Sequence, residues 1–176
     1  NDGGTWSHSA SITRITSFVK HKDQLFIGSK SGIYASSDKG HTWLRLNNSP
    51  QTVQSLHLLD KRDTLYATSP DYGVSYSIDN GQTWTYINDG LPLASAQPSS
   101  LVSFQGLMLV GAKYPKSIYG RENTSSQWTD VSQDLSMVTQ TTSFATDGRI
   151  LFAAGDQGVF SSTTGLDWNS FYNEQL

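Results

Sequence analysis

An eight-residue pattern, Ser-x-Asp-x-Gly-x-Thr-Trp, occurs twice in this sequence, at residues 36–43 and 77–84. An aspartate in a turn accepts hydrogen bonds from nearby backbone N–H groups, and a glycine there takes a positive φ without steric cost. The threonine and tryptophan that follow are typical of strands. The pattern therefore predicts a turn that enters a strand and ends in an anchor able to bury roughly 150–250 Å². Its fixed positions are Ser36, Asp38, Gly40, Thr42, Trp43, Ser77, Asp79, Gly81, Thr83 and Trp84.

The five tryptophans extend this pattern over the whole chain. Trp6, Trp43, Trp84, Trp128 and Trp168 are separated by 37, 41, 44 and 40 residues. Weaker copies of the octapeptide precede the first, fourth and fifth of them. A period of about 40 residues with short strand-like segments is typical of propeller blades.

Each repeat reads as four short strands joined by turns. In one repeat the strand-like segments are residues 15–20, 24–28, 33–35 and 43–46, with turn residues between them. Complete blades are predicted at residues 12–46, 53–87, 101–131 and 142–172. We therefore expect one all-β domain over residues 1–176, a partial β-propeller of four-stranded antiparallel blades, with no helical period.

A further strand, residues 5–11, precedes the first complete blade and has no partner strands of its own. A propeller ring closes by pairing strands within one blade, which removes the exposed edges. The strand count therefore predicts an incomplete ring. It is either a fragment of a larger ring, excised from a longer chain, or one half of a ring formed by a homodimer.

The octapeptide resembles the Asp-box, or bacterial neuraminidase repeat. This repeat is found in the β-propellers of sialidases, sortilin-type receptors, xyloglucanases and photosystem II assembly factors. Two copies match closely and three are degenerate, and together they span the chain. The resemblance implies the propeller fold, but it does not choose a function, because these families share only the blade.

Successive strands of a blade run in opposite directions, so the loops lie on two faces. The loops between second and third strands and the blade-to-blade connections form one face, here called the mouth face. By analogy with other propellers, ligands are expected there. The Asp-box turns lie on the opposite face, so Asp38 and Asp79 are predicted to be structural and not catalytic.

Tyrosines beside lysines and aspartates on the mouth face have the makeup of a recognition surface, and equally that of ordinary loops. Tyr114 is the first expected contact, because its loop is the longest insertion. The predicted ligand-binding residues are Asp71, Tyr72, Lys113, Tyr114, Lys116 and Asp156.

Composition narrows the chemistry. The net charge of −3 and the pI near 5.7 argue against a general nucleic-acid or anionic-membrane surface. No apolar run approaches ~18 residues, so no membrane span is expected. The chain has no cysteine, and its four histidines fall at unrelated phases of the repeat, so neither a metal site nor a cofactor is expected.

Three functions follow from these features. The first is a non-catalytic binding or assembly scaffold that holds a peptide or protein at the channel mouth. The second is a fragment of a glycoside hydrolase, sialidase-like or xyloglucanase-like, with carboxylates among Asp71, Asp89, Asp134 and Asp156. The third is a carbohydrate-binding module that uses Tyr72 and Tyr114. A secreted, periplasmic or extracellular location is expected for each.

Overall fold

The computed structural model describes residues 12–59, 63–113, 116–133, 135 and 138–170. These residues form four antiparallel sheets of four strands each. The first sheet contains β1 (Ile15–His21), β2 (Gln24–Ser29), β3 (Gly32–Ser36) and β4 (Leu44–Arg45). The second contains β5 (Ser55–Leu59), β6 (Thr64–Ser69), β7 (Gly73–Ser77) and β8 (Thr85–Tyr86). The third contains β9 (Leu101–Phe104), β10 (Leu107–Gly111), β11 (Ile118–Glu122) and β12 (Thr129–Asp130). The fourth contains β13 (Thr141–Thr146), β14 (Leu151–Gly155), β15 (Gly158–Ser162) and β16 (Asn169–Ser170).

Every sheet is a simple meander, with its strands in chain order. The first strands of successive sheets contact one another, so β1, β5, β9 and β13 line the inner side of the arc. Side-chain hydrogen bonds also join neighbouring blades through the connections that precede their first strands. Thr16 Oγ1 donates to the carbonyl of Val53 at 2.9 Å, and Thr68 Oγ1 donates to the carbonyl of Ser99 at 2.8 Å.

Three apolar clusters pack the sheets face to face. Phe26 and Leu56 belong to the cluster between the first and second sheets, and Val74 and Trp128 to the next. The third cluster, between the last two sheets, includes Leu109, which is fully buried. Because each cluster joins only consecutive sheets, the core is divided among the interfaces, as in repeat architectures.

The structure confirms the predicted fold class, a partial β-propeller of four-stranded blades. The strands lie within a few residues of the segments read from the sequence. One element differs, because the connection predicted as a loop contains a single helical turn, α1 (Leu93–Ala96), followed by Gln97 at φ 43°. The predicted leading strand, residues 5–11, lies outside the described residues. The blade ranges, as domain limits, stay predictions.

The outer side of the fourth sheet differs from those of the inner sheets. Ile33 and Val74 are the second residues of the third strands in the first two blades, and they are completely buried because the following sheet packs on them. Val159 occupies the same place in the fourth blade and is 45% exposed. Among the described residues, therefore, no further sheet covers the fourth one. The helix present in the described part of the chain is too short to cross a membrane.

Candidate functional site

The two Asp-box turns, residues 36–43 and 77–84, have nearly identical hydrogen bonds. Asp79 accepts from the Thr83 backbone N–H at 2.9 Å, from the Thr83 hydroxyl at 2.5 Å and from the Ser77 hydroxyl at 2.7 Å. The Gly81 N–H donates to Ser77 Oγ at 2.8 Å. The first turn repeats these bonds around Asp38, each within about 0.1 Å.

These bonds explain the acidity of both carboxylates. Hydrogen bonds from Thr83 lower the pKa of Asp79 to about 2, and those from Thr42 lower the pKa of Asp38 further still. Each turn thus holds an ionised carboxylate whose oxygens are used by its own octapeptide. These hydrogen bonds support a structural role for Asp38 and Asp79, which stays a prediction.

A polar pocket of about 250 Å³ lies on the mouth face. Three glutamines line it from three successive blade-to-blade connections, and two lysines line it from loops between second and third strands. We call it the mouth pocket. Its lining residues are Lys30, Gln54, Pro70, Gln97, Pro98, Ser99, Lys113 and Gln140.

Hydrogen bonds hold several of these residues in place. Lys30 Nζ donates to Gln54 Oε1 at 2.8 Å, which ties the first blade to the connection that follows it. The Lys113 N–H donates to the carbonyl of Ala96 at 2.6 Å, and Lys113 forms an isolated β-bridge with Gln140. These contacts between neighbouring blades therefore hold the polar lining of the mouth pocket in place.

Asp156 fixes the segment that carries Gln140. Its carboxylate accepts from the Thr139 N–H at 3.1 Å, the Thr139 hydroxyl at 2.5 Å and the Gln140 N–H at 3.3 Å. The hydroxyl of Thr139 is the main reason that the pKa of Asp156 lies below its usual value. Asp156 therefore positions the edge of the mouth pocket.

A second depression of about 320 Å³ adjoins the mouth pocket. We call it the side pocket. Asp71 lines it together with Leu93 and Ala94 of α1, and it shares Pro70 and Gln97 with the mouth pocket. The mouth face thus presents a cationic, amide-rich pocket next to one with an apolar wall and a carboxylate.

The structure separates the six predicted ligand-binding residues. Lys113 lines the mouth pocket and Asp71 lines the side pocket. Asp156 lines neither, but its carboxylate holds Gln140 at the edge of the mouth pocket. Lys116 Nζ instead lies 2.9 Å from Asp130 Oδ2 on β12, and Tyr72 is exposed with its carbonyl bonded by the Asn88 amide. Tyr114 lies outside the described residues. A ligand-binding role for this set stays a prediction.

The sequence reasoning missed the three glutamines. Gln54, Gln97 and Gln140 follow Trp43, Trp84 and Trp128 by 11, 13 and 12 residues, so they recur at nearly one phase of the repeat. Aligning the connections, and not only the Asp-box, would have found them.

A third cavity lies along the inner wall, where His57 of β5 faces the channel. Its Nε2 accepts the Leu101 N–H of the next blade at 3.1 Å and lies 2.7 Å from Ser55 Oγ. Burial lowers the pKa of His57 to about 4, because the imidazolium loses solvation. His57 is therefore a neutral acceptor that joins the second and third blades.

The described residues contain little that resembles a hydrolytic or metal centre. No group of three or more His, Asp or Glu side chains is close enough to hold a metal ion in the described part of the chain. A glycosidase needs two carboxyl groups roughly 5–10 Å apart across one cleft. Of the described residues, the mouth pocket has no lining carboxylate and the side pocket has one, Asp71.

The same fold occurs in solved structures. An ancestral GH74 enzyme has a TM-score of 0.71 at 14% identity, over 92% of this chain and 24% of that one. The extracellular domain of BT4673 from B. thetaiotaomicron has a TM-score of 0.74 at 14% identity, over 97% of this chain and 24% of that one. YCF48 from Cyanidioschyzon merolae has a TM-score of 0.65 at 12% identity, over 92% of this chain and 56% of that one.

At these identities the likeness shows the fold and nothing further. This chain also spans about a quarter of the length of the first two structures and about half that of the third. No curated protein matches the sequence. A protein family does match, over residues 1–115, which is more than half of the chain. The chain therefore belongs to the DUF6242 beta propeller domain family.

Proposed function

We propose that this propeller is a non-catalytic binding scaffold that holds an extended acidic peptide segment of another protein across its mouth face. The observation that carries the proposal is the mouth pocket, where glutamines from three connections and lysines from two loops come together. A convergent set of polar groups on a rigid propeller face is what a peptide main chain requires.

The lining chemistry suits a peptide with an acidic group. A glutamine amide offers both a donor and an acceptor, and can therefore pair with the N–H and the C=O of an extended main chain. Lys30 of the first blade and Lys113 of the third add two positive charges to the lining, which favour a carboxylate from an acidic side chain or from a C-terminus. The apolar wall of Leu93 and Ala94 in the side pocket suits a neighbouring small apolar residue.

The proposal is tested by selecting a displayed library of random short peptides on the immobilised chain. Selected peptides are then synthesised with a fluorescent label, and their dissociation constants are measured by anisotropy at two salt concentrations. We expect acidic sequences, a Kd that rises with salt, and a loss of at least tenfold in affinity for Lys113→Ala and Gln140→Ala.

Lys20→Ala is the matched control, because it removes the same charge from an exposed lysine. Lys20 lies near the end of β1 that points away from the mouth face. Lys116→Ala tests whether a lysine outside the mouth pocket, in the wider surface predicted from the sequence, also contributes to peptide affinity. If Lys20→Ala weakens binding as much as Lys113→Ala, only net charge is being sensed and the pocket assignment is wrong. If no peptide is selected, the peptide-binding proposal itself is wrong.

We also propose a secreted, periplasmic or extracellular location. One protein of the same fold is an extracellular domain by name, which supports this location without establishing it. Fractionation of source cells, with an antibody against this chain, tests it. Recovery in the cytoplasmic fraction alone would contradict it.

A further inference from the structure

The third blade has lost the Asp-box. Arg121 on β11 pairs with Met108 of β10, just as Ser77 on β7 pairs with Leu65 of β6, so Arg121 stands at the place of the box serine. Counting back from Trp128 places three further substitutions in the same turn, including Gln127 for threonine. The other replacements are Arg121 for serine, Asn123 for aspartate and Ser125 for glycine.

The box glycine has a packing role at the two interfaces that keep it. At Gly81, whose φ is 83°, an added Cβ would lie 2.5 Å from Leu46 Cδ1 of the first blade. At Gly165, whose φ is 80°, it would lie 3.1 Å from Leu107 of the third blade. The turn backbone therefore packs against a leucine of the preceding blade, which a side chain at the glycine position would have to displace.

Ser125 does not take this conformation, because its φ is not positive. A pocket of about 480 Å³ is present between the second and third sheets instead. Ile87 lines it and is the counterpart of Leu46, since the N–H of each donates to the carbonyl of the second residue of its blade's third strand. The pocket thus occupies the space that a glycine turn fills at the other two interfaces.

One side of this inter-blade pocket is apolar and aromatic. Tyr66 and Tyr76 have ring centroids 5.9 Å apart with an interplanar angle of 40°, and Ile87 and Met108 lie beside them. The other side is polar, with Arg121, Glu122 and Asn123 in sequence along the turn. Arg121 Nε donates to the Ser125 carbonyl at 2.8 Å, which fixes the guanidinium.

We propose that the inter-blade pocket binds a residue of a neutral saccharide. A pyranose ring presents C–H groups on its faces and hydroxyl groups at its edge. The tyrosine, isoleucine and methionine side chains suit the C–H face. The guanidinium, carboxylate and amide suit adjacent hydroxyls, each of which both donates and accepts.

The charges favour an uncharged sugar over an acidic one. Arg121 and Glu122 both line the pocket and are of opposite sign, so the net formal charge of its lining is zero. The size also fits, since ligand pockets commonly measure about 300–1,000 Å³. This site lies on the Asp-box face, opposite the mouth pocket, and is independent of the function proposed above.

The experiment uses the 176-residue chain with a panel of neutral oligosaccharides: cellotetraose, xylotetraose, mannotetraose, maltotetraose and xyloglucan oligosaccharides. Saturation-transfer NMR finds the binders and isothermal titration gives their Kd. We expect at least one to bind in the micromolar-to-millimolar range, and Tyr76→Ala to weaken it at least tenfold. Tyr86→Ala, the same substitution at an exposed tyrosine of β8 outside the pocket lining, is expected to leave the Kd unchanged.

Asn123→Trp keeps the assignment testable should Tyr76→Ala fail to fold. Asn123 is exposed, so a tryptophan there is expected to fill the pocket without unfolding the chain, and to abolish binding. Three results would overturn the proposal: no neutral oligosaccharide binds, binding survives Asn123→Trp, or Tyr86→Ala weakens binding while Tyr76→Ala does not. The last result would place the sugar site outside the inter-blade pocket.

Discussion

The closely matching and the degenerate Asp-box turns use their tryptophans in different ways. Trp43 and Trp84 are half-buried, and each indole N–H donates to the glycine carbonyl of its own turn at 3.1 Å. Trp128 and Trp168 are 2% and 5% exposed, and their indoles donate instead to Ile87 and Val131 of the preceding blade.

The difference separates local stabilisation from stabilisation between blades. A complete box satisfies its own backbone groups, so its tryptophan can close the same turn. Where the box is incomplete, the tryptophan crosses to the preceding blade and is buried there. The degenerate repeats therefore depend more on their neighbours, and the missing box in the third blade also leaves a pocket at that interface.

Truncation of the tryptophans tests the comparison most strongly. Trp128→Ala removes a fully packed indole, so we expect a loss of roughly 3–5 kcal/mol in the free energy of unfolding. Trp43→Ala removes a half-exposed one, and we expect roughly 1–2 kcal/mol. Urea denaturation followed by circular dichroism measures both. Equal losses would mean that the two kinds of turn are not different in energy.

Acid titration separates the bonds between blades from the bonds within a turn, because the two kinds are lost at different pH. His57 carries an inter-blade bond, and its pKa is about 4 when folded, against an ordinary value of 6.5. The folded state therefore binds fewer protons between these values, and stability falls as the pH is lowered from about 6.5 to about 4. The full loss in the free energy of unfolding over this range is roughly 3 kcal/mol.

The local bonds of Asp79 respond at lower pH. Its pKa falls from 3.8 to about 2 on folding, so its contribution is present above 3.8 and is lost as the pH approaches 2. Urea midpoints measured from pH 7.5 to pH 3 in the wild type, His57→Gln and His41→Gln test the assignment. We expect only His57→Gln to flatten the curve above pH 4. An unchanged curve in that variant would remove His57 from the explanation.

Two glycine substitutions measure how tightly a box packs on the preceding blade. Gly81 and Gly106 have φ of 83° and 84°, but an added Cβ at Gly106 meets nothing within 4 Å. Gly106→Ala should therefore cost about 1 kcal/mol from the backbone alone. Gly81→Ala should cost roughly 1–3 kcal/mol more, because its Cβ would approach Leu46. Equal losses of unfolding free energy would show that the turn yields without strain.

The sequence was informative where the cause of the structure is local. The Asp38 and Asp79 turns follow from side chains that bond backbone groups within eight residues, and the strands follow from short alternating segments between turns. Even so, Lys39 and Asn80 take positive φ of 62° and 58° beside the box glycines, which the octapeptide pattern alone did not predict.

The sites were harder to predict because they depend on residues brought together from different blades. Gln54, Gln97 and Gln140 meet only because three connections converge on one face. Lys116 looked equivalent to Lys113 in the same loop, but it pairs with Asp130 of the outer strand. The inter-blade pocket results from the missing Asp-box of the third repeat, and a search for matching motifs does not detect a missing one.

Rebuilding the missing box tests the comparison with the smallest expected change in stability. The substitutions Arg121→Ser, Asn123→Asp, Ser125→Gly and Gln127→Thr would complete the pattern before Trp128. We expect the free energy of unfolding to change by less than about 1 kcal/mol, since new turn bonds replace an inter-blade bond of similar strength.

The informative readouts are the indole bond and the pocket. If the box decides how the tryptophan is used, a crystal structure of the rebuilt chain will show the Trp128 indole bonded to the carbonyl of residue 125, and neutral saccharide binding will be lost. The competing explanation for the position of the indole is the spacing between Trp84 and Trp128, which is 44 residues against 41 for the preceding pair. If the indole stays on Ile87 while the turn closes, the longer connection sets its position, and the box controls only the pocket.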